Sequence, residues 1–189
     1  MPEDNVVKRI IQLYRRFGGE NYGEQVTLLD HAFQAADLAS TDGCDDEMIA
    51  AAFLHDIGHL LEHDGLQPMG HYDARAHDLL GADYLAAAGF SGRIVKLVAS
   101  HVQAKRYLCT VENDYYETLS ETSKESLEFQ GGIMSADETS DFSIRPDLED
   151  VLALRRYDDE AKVVGRGFGD LNAIETLLEK RLEQRAAVA

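Results

Sequence analysis

His55 and Asp56 stand side by side, and His59 follows His55 by four residues, one helical turn. Residues four apart on a helix share a face, so one metal site could draw on both histidines. Their neighbours Ala51, Ala52, Phe53, Leu54, Ile57 and Leu60 are apolar. Three ionisable side chains in such a setting are costly to bury unless a cation compensates them. A lone histidine there would read as a core residue hydrogen-bonded to backbone; a His-Asp-x-x-His group reads as a metal site. His31 lies among Leu28, Leu29, Phe33 and Ala36, His101 follows Leu97 and Val98, and His77 opens a helical pattern. Asp158 and Asp159 follow Leu154 and Tyr157. Imidazole and carboxylate together suit iron, manganese or zinc. Ligands converging from several helices are a known way to build a dimetal site, with an aspartate between the ions to offset their repulsion.

The elements that must carry these residues read as helices. Val6, Ile10, Leu13 and Tyr14 recur at helical spacing up to Gly18-Gly19. A loop over 20–26 precedes a helix from Thr27 to Ser40. Asp45 caps a third, whose nearly continuous apolar run from Met48 to Leu61 predicts a central helix. Residues 62–75, with Gly65, Pro68 and Gly70, predict a long loop of functional type. Helices follow over Ala76–Ala88, stopped by Gly89, and over Arg93–Leu108. The stretch 109–119 reads as irregular, 121–129 as helix and 133–145 as a mobile acidic loop. Pro146 opens a helix to Lys162, and a last one covers Asp170–Gln184. No strand pattern supports a sheet. The expectation is an all-α fold of seven or eight helices, in one domain over 1–189.

A net charge of −17 argues against nucleic acid and anionic membranes as partners, because both need a basic footprint. No apolar run has membrane-spanning length and the N-terminus lacks a signal-peptide core. Two cysteines, Cys44 and Cys109, make no disulfide framework, so a cytoplasmic location is the default.

The order His31, His55-Asp56 and a distant aspartate resembles the HD-domain superfamily, whose simplest members hydrolyse phosphate esters with one divalent ion. With His77 and His101 added, the set resembles the two-metal subgroup. That subgroup includes the myo-inositol oxygenases, the PhnZ-type hydroxyphosphonate oxygenases and their trimethylammonio-phosphonate relatives. The segments Glu20-Asn21-Tyr22-Gly23-Glu24, Gly81-Ala82-Asp83-Tyr84-Leu85, His101-Val102-Gln103-Ala104-Lys105-Arg106-Tyr107-Leu108 and Arg156-Tyr157-Asp158-Asp159-Glu160-Ala161 look like the phosphonate oxygenases, as does the run Ala51 to Leu61.

The resemblance implies an HD-domain bundle around a mixed-valent Fe(II)/Fe(III) pair, with dioxygen as co-substrate. His31, His55, Asp56, His77, His101 and Asp159 would be the ligands, with Asp56 bridging. Asp159 is preferred to Asp158 because the family pattern Arg-Tyr-x-Asp-Glu-Ala puts the ligand before Glu160. The substrate would be a small 1-hydroxyphosphonate with an ammonium on the next carbon: 2-amino-1-hydroxyethylphosphonate, giving glycine, or its trimethyl analogue, giving glycine betaine. Oxygenation would cleave the C–P bond and release phosphate.

Lys105, one turn after His101, would hold a phosphonate oxygen; His59 and Ser123 would help bind the same anion. Glu24 would pair with the ammonium, and Tyr22 would sit over the open iron position. Tyr72 and Tyr107 are further aromatic candidates for a quaternary headgroup. His63 and His71 have no assigned place beyond the surface or a lid. The alternatives are a metal-dependent phosphohydrolase, an inositol-type oxygenase and a metal sensor without catalysis.

Overall fold

A computed structural model describes residues 5–21, 24–65, 76–167 and 169–186. Eleven helices and no strand occur among the described residues: α1 (Val6–Phe17), α2 (Leu28–Thr41), α3 (Asp46–Leu54), α4 (Ile57–His63), α5 (His77–Ala87), α6 (Gly92–Val111), α7 (Tyr115–Thr118), α8 (Glu121–Phe129), α9 (Ala136–Ser143), α10 (Leu148–Glu160) and α11 (Leu171–Ala186). The all-helical expectation holds, with more and shorter helices than expected.

The starts are set by side-chain caps. Asn5, Thr27, Asp45, Ser91 and Ser120 each accept a hydrogen bond from the first-turn backbone N–H groups of α1, α2, α3, α6 and α8. Inside, α6 is the central pillar: α3, α5 and α10 pack on it, and α2 packs on α3 and α10. One apolar cluster draws on α1 to α6, α10 and α11, with Ile10, Phe53, Leu54, Ile57, Leu85 and Val151 fully buried. Tyr14 carries its hydroxyl into this core and donates it to the carbonyl oxygen of Phe53 at 2.7 Å. A buried phenol without such a partner would be destabilising.

Four boundaries depart from the sequence expectation. The run from Met48 to Leu61 is two helices, broken at His55-Asp56, where Asp56 adopts φ −99° and ψ 13°. The break turns Asp56 away from the course of α3. The stretch over 109–119 is less irregular than expected, because α6 continues to Val111 and α7 follows. The expected acidic loop over 133–145 contains α9, which has no fully buried residue and so shows little apolar periodicity. Its support is a capping box between Ser135 and Glu138 and an ion pair from Arg106 to Glu138 at 2.8 Å. Finally, α10 starts at Leu148, two residues after Pro146, and ends at Glu160. Of the expected loop over 62–75, residues 66–75 lie outside the described residues, and with them His71 and Tyr72.

The approach of α4 to α5 decides whether His77 reaches Asp56. Gly58 makes it possible: a Cβ there would lie 1.9 Å from the carbonyl oxygen of His77. Gly81 on α5 faces the same contact, near Ile57 and the Gly58 amide. Backbone cannot yield as a flexible side chain does, so Gly58→Ala is expected to destabilise by about 3 kcal/mol, measurable by urea unfolding. A variant as stable as the parent would show that α4 and α5 have slack.

Candidate metal centre

Six side chains from five places in the chain meet in the bundle interior. His31 comes from α2, His55 and Asp56 from the break between α3 and α4, His77 from the first turn of α5, His101 from the middle of α6 and Asp158 from the last turns of α10. All six are buried.

Asp56 is the centre of the arrangement. Its Oδ2 lies 3.6 Å from His31 Nε2 and 3.4 Å from His55 Nε2. Its Oδ1 lies 3.3 Å from His77 Nε2 and 3.6 Å from His101 Nε2. The result is two triads, His31–His55–Asp56 and Asp56–His77–His101, sharing one carboxylate.

The imidazoles are presented as bare ligands. His31 Nδ1 is 2.9 Å from the Ala161 carbonyl, His55 Nδ1 is 2.8 Å from that of Ala52 and His101 Nδ1 is 2.8 Å from that of Val98. A carbonyl only accepts, so each Nδ1 carries a proton, and in its neutral form each ring turns a bare Nε2 inward. The end of α10 at Ala161 has a purpose here, since it releases the carbonyl that orients His31.

The bare nitrogens then crowd one another. His31 Nε2 and His55 Nε2 are 3.1 Å apart, and His77 Nε2 and His101 Nε2 are 3.0 Å apart. Two facing lone pairs at that distance need a proton or a cation between or beside them. Protons alone serve unevenly. Burial opposes a charge on His55, but the Asp56 and Asp158 carboxylates outweigh it and hold this ring up at about 9. Burial and the neighbouring His77 and His55 push His101 well below its usual value. The donor set of four imidazoles and buried carboxylates fits metal ions, of the borderline divalent and trivalent kind.

The sixth position differs from the sequence expectation. Asp158 Oδ1 lies 3.4 Å from His31 Nε2 and 3.9 Å from His55 Nε2. Asp159, expected at the cage, is turned instead onto Arg155 and the Tyr115 hydroxyl. Adjacent helical residues point about 100° apart, so only one of the pair can face the histidines.

A cavity of about 260 Å³ opens on this cluster. Lys105, expected as an anion ligand, lines it; its Nζ donates to Ser126 Oγ at 2.7 Å and to the Ser123 carbonyl at 3.3 Å. Burial and the nearby Arg155 cation pull its ammonium down to about 8, which leaves it charged at neutral pH. Ser123 and Glu24 also line the cavity, joined by a residue the sequence reading passed over. Lys162 Nζ lies 2.9 Å from Glu24 Oε1 and 3.0 Å from Ser123 Oγ. The available signal was spacing: Lys162 is four residues after Asp158, as Lys105 is four after His101.

His59 lies on α4, past the break that separates it from His55. It stacks on His77 with ring centroids 4.0 Å apart and reaches the cavity wall. Tyr107 packs on Phe142 at 5.0 Å. His63, unassigned from sequence, ends α4 against Glu20 and Phe17. Tyr22 lies outside the described residues.

Comparison with known proteins agrees with this geometry. The HD-domain family model matches residues 28–164. A hydroxymethylphosphonate dioxygenase from Gimesia maris is 42% identical over 181 residues, covering 94% of this chain and 88% of the relative. A [1-hydroxy-2-(trimethylamino)ethyl]phosphonate dioxygenase (glycine-betaine-forming) from Leisingera caerulea is 40% identical over 159 residues, covering 84% and 81%. An uncharacterised protein of Acanthamoeba polyphaga mimivirus is 39% identical over 180 residues, covering 94% and 82%. The chain belongs to the HD-domain family, alongside these two phosphonate dioxygenases.

Proposed function

We propose that the protein is an oxygenase that uses dioxygen to cleave the C–P bond of a small 1-hydroxyphosphonate, releasing phosphate. The observation that carries this reading is the sharing of one cavity by five of the six cage residues (His31, Asp56, His77, His101 and Asp158) and by two lysines, Lys105 and Lys162, with Ser123 between them. Two relatives named as phosphonate dioxygenases support it. His31, His55, Asp158, His77, His101 and Asp56 would hold an Fe(II)/Fe(III) pair, which would supply the activation of dioxygen. The overall change balances as R–CH(OH)–PO3H2 + O2 → R–COOH + H3PO4. The C1–H and C1–P bonds break, both oxygen atoms enter the products, and dioxygen takes up four electrons.

The protein's own residues hold the substrate and keep water out. Lys105 and Ser123 take the phosphonate oxygens, with charge-assisted hydrogen bonds from the lysine. His59, stacked on His77, fixes that ring and offers its edge to the same anion. Glu24 reads the substituent on the carbon next to C1. In the structure Glu24 is satisfied by Lys162 and by the Ser120 hydroxyl at 2.7 Å. A substrate ammonium takes the place of Lys162 on Glu24 and frees that lysine for the phosphonate. Hydroxymethylphosphonate carries no such group and leaves the pair closed.

Glu24→Gln is therefore expected to lower kcat/KM for 2-amino-1-hydroxyethylphosphonate about tenfold or more, the scale of a hydrogen bond to a charged group. Turnover of hydroxymethylphosphonate should change little. Equal losses on both would remove Glu24 from headgroup recognition.

Oxygen uptake and phosphate release by iron-loaded protein, with the primary-amine, trimethylammonio and unsubstituted hydroxyphosphonates compared, test the whole reading. Oxygen-dependent phosphate release from one of them establishes the oxygenase and names its headgroup. No turnover of any, with metal-dependent hydrolysis of a phosphate ester under anaerobic conditions, would make it a phosphohydrolase.

A further inference from the structure

Arg155, Asp159 and Tyr115 form a hydrogen-bonded group beside Asp158, and Arg155 also reaches the wall of the cavity. The Arg155 side chain is 3% exposed, yet all three of its guanidinium nitrogens are engaged. Nη1 donates to Asp158 Oδ2 at 2.6 Å, Nη2 donates to Asp159 Oδ1, and Nε donates to the Tyr115 hydroxyl at 3.0 Å. The Tyr115 hydroxyl in turn donates to Asp159 Oδ2. Both oxygens of Asp159 are thus occupied away from the histidines.

Two consequences follow from charge and shape. Asp159 balances the buried guanidinium, so the negative charge of Asp158 is not spent on Arg155 alone and remains directed at the cage. A planar guanidinium anchored at three nitrogens cannot rotate. It holds Asp158 Oδ2, leaving Oδ1 as the oxygen that faces His31.

We propose that Arg155, fixed by Asp159 and Tyr115, is a positioning residue that limits Asp158 to one oxygen toward the metal and keeps the place beside it open for substrate. The inference rests on the metal-centre reading given above. It accounts for the spacing Arg155, Asp158, Asp159 on one turn of α10, where residues three and four apart meet. It also accounts for α7, a four-residue helix whose one buried residue is Tyr115. Lysine cannot reproduce the arrangement, because its single ammonium has no fixed plane.

The test uses full-length, iron-loaded Arg155→Lys and Tyr115→Phe beside the parent. Iron per chain, the electron paramagnetic resonance spectrum of half-reduced protein with and without substrate, KM and kcat are measured. Arg155→Lys is expected to keep two irons, to show an altered spectrum and to raise KM about tenfold, the effect of one lost charged hydrogen bond, with a smaller change in kcat. Tyr115→Phe, which removes a single hydroxyl, should move the spectrum and KM the same way by less. An Arg155→Lys protein with two irons and the parent's spectrum and KM overturns the inference. If that variant does not fold, Tyr115→Phe decides, and parental values there overturn it equally. A parent that cannot hold two irons would instead overturn the metal-centre reading itself.

Discussion

Asp56→Ala is expected to leave a folded protein that retains neither metal ion and has lost oxidation. Among the described residues, Asp56 is the one carboxylate that faces all four histidines, at 3.3 to 3.6 Å. Even residues that only orient a ligand change metal affinity by about 10- to 100-fold when mutated, so loss of a shared ligand should exceed about 100-fold. The effect has a second, non-catalytic readout. In the parent, metal at a hundredfold excess over its Kd should stabilise the native state by about 2.7 kcal/mol. That corresponds to a rise in Tm of roughly 5–11 °C for a chain of this size. Asp56→Ala should show no such rise, and His77→Ala or His101→Ala should keep part of it by retaining the other triad. Full iron occupancy and activity in Asp56→Ala would remove the shared-carboxylate arrangement.

The second large effect separates two neighbours. Asp158→Asn keeps the size of the side chain and can still accept from Arg155 Nη1, but it withdraws a charge from the cage. Iron should then be lost to a chelator about 100-fold more readily. Asp159→Asn should keep its iron. It leaves the buried Arg155 with Asp158 as its one remaining carboxylate partner, and weakening such a buried group costs up to about 3 kcal/mol. Both variants remove a carboxylate from Arg155, so iron separates them: lost for Asp158, kept for Asp159. Iron stripped from Asp159→Asn but held by Asp158→Asn would restore Asp159 as the ligand and would also remove the basis for Arg155 as a positioning residue. Iron content after dialysis and urea unfolding of the two apo proteins give both answers.

Much of this protein was legible in the sequence. Helical periodicity and caps give an all-helical fold, because burial of one apolar face per helix leaves a direct mark on residue spacing. His31, His55, Asp56 and His101 stand out for a similar reason, as ionisable groups set in apolar surroundings, and His77 joins them through the family resemblance. Lys105 is visible through its one-turn offset from His101.

What the sequence could not carry is anything that depends on orientation about a helix or on contacts between distant segments. The break at His55-Asp56 lies in a nearly continuous apolar run without Pro, and it lets Asp56 face four histidines at once. α9 has no fully buried residue and touches the core through Phe142, so little periodicity announces it. Asp158 and Asp159 are chemically identical neighbours, and only the packing of α10 beside Arg155 and Tyr115 selects which one faces the histidines. The pairing of Glu24 with Lys162 joins residues 138 positions apart, through an ion pair that leaves no trace in local pattern. The sequence by itself determined the helical class and the donor set of the cage. The tertiary structure decided which carboxylate completes the cage and which lysine stands across from Glu24, since directions in space are set by packing and not by residue type.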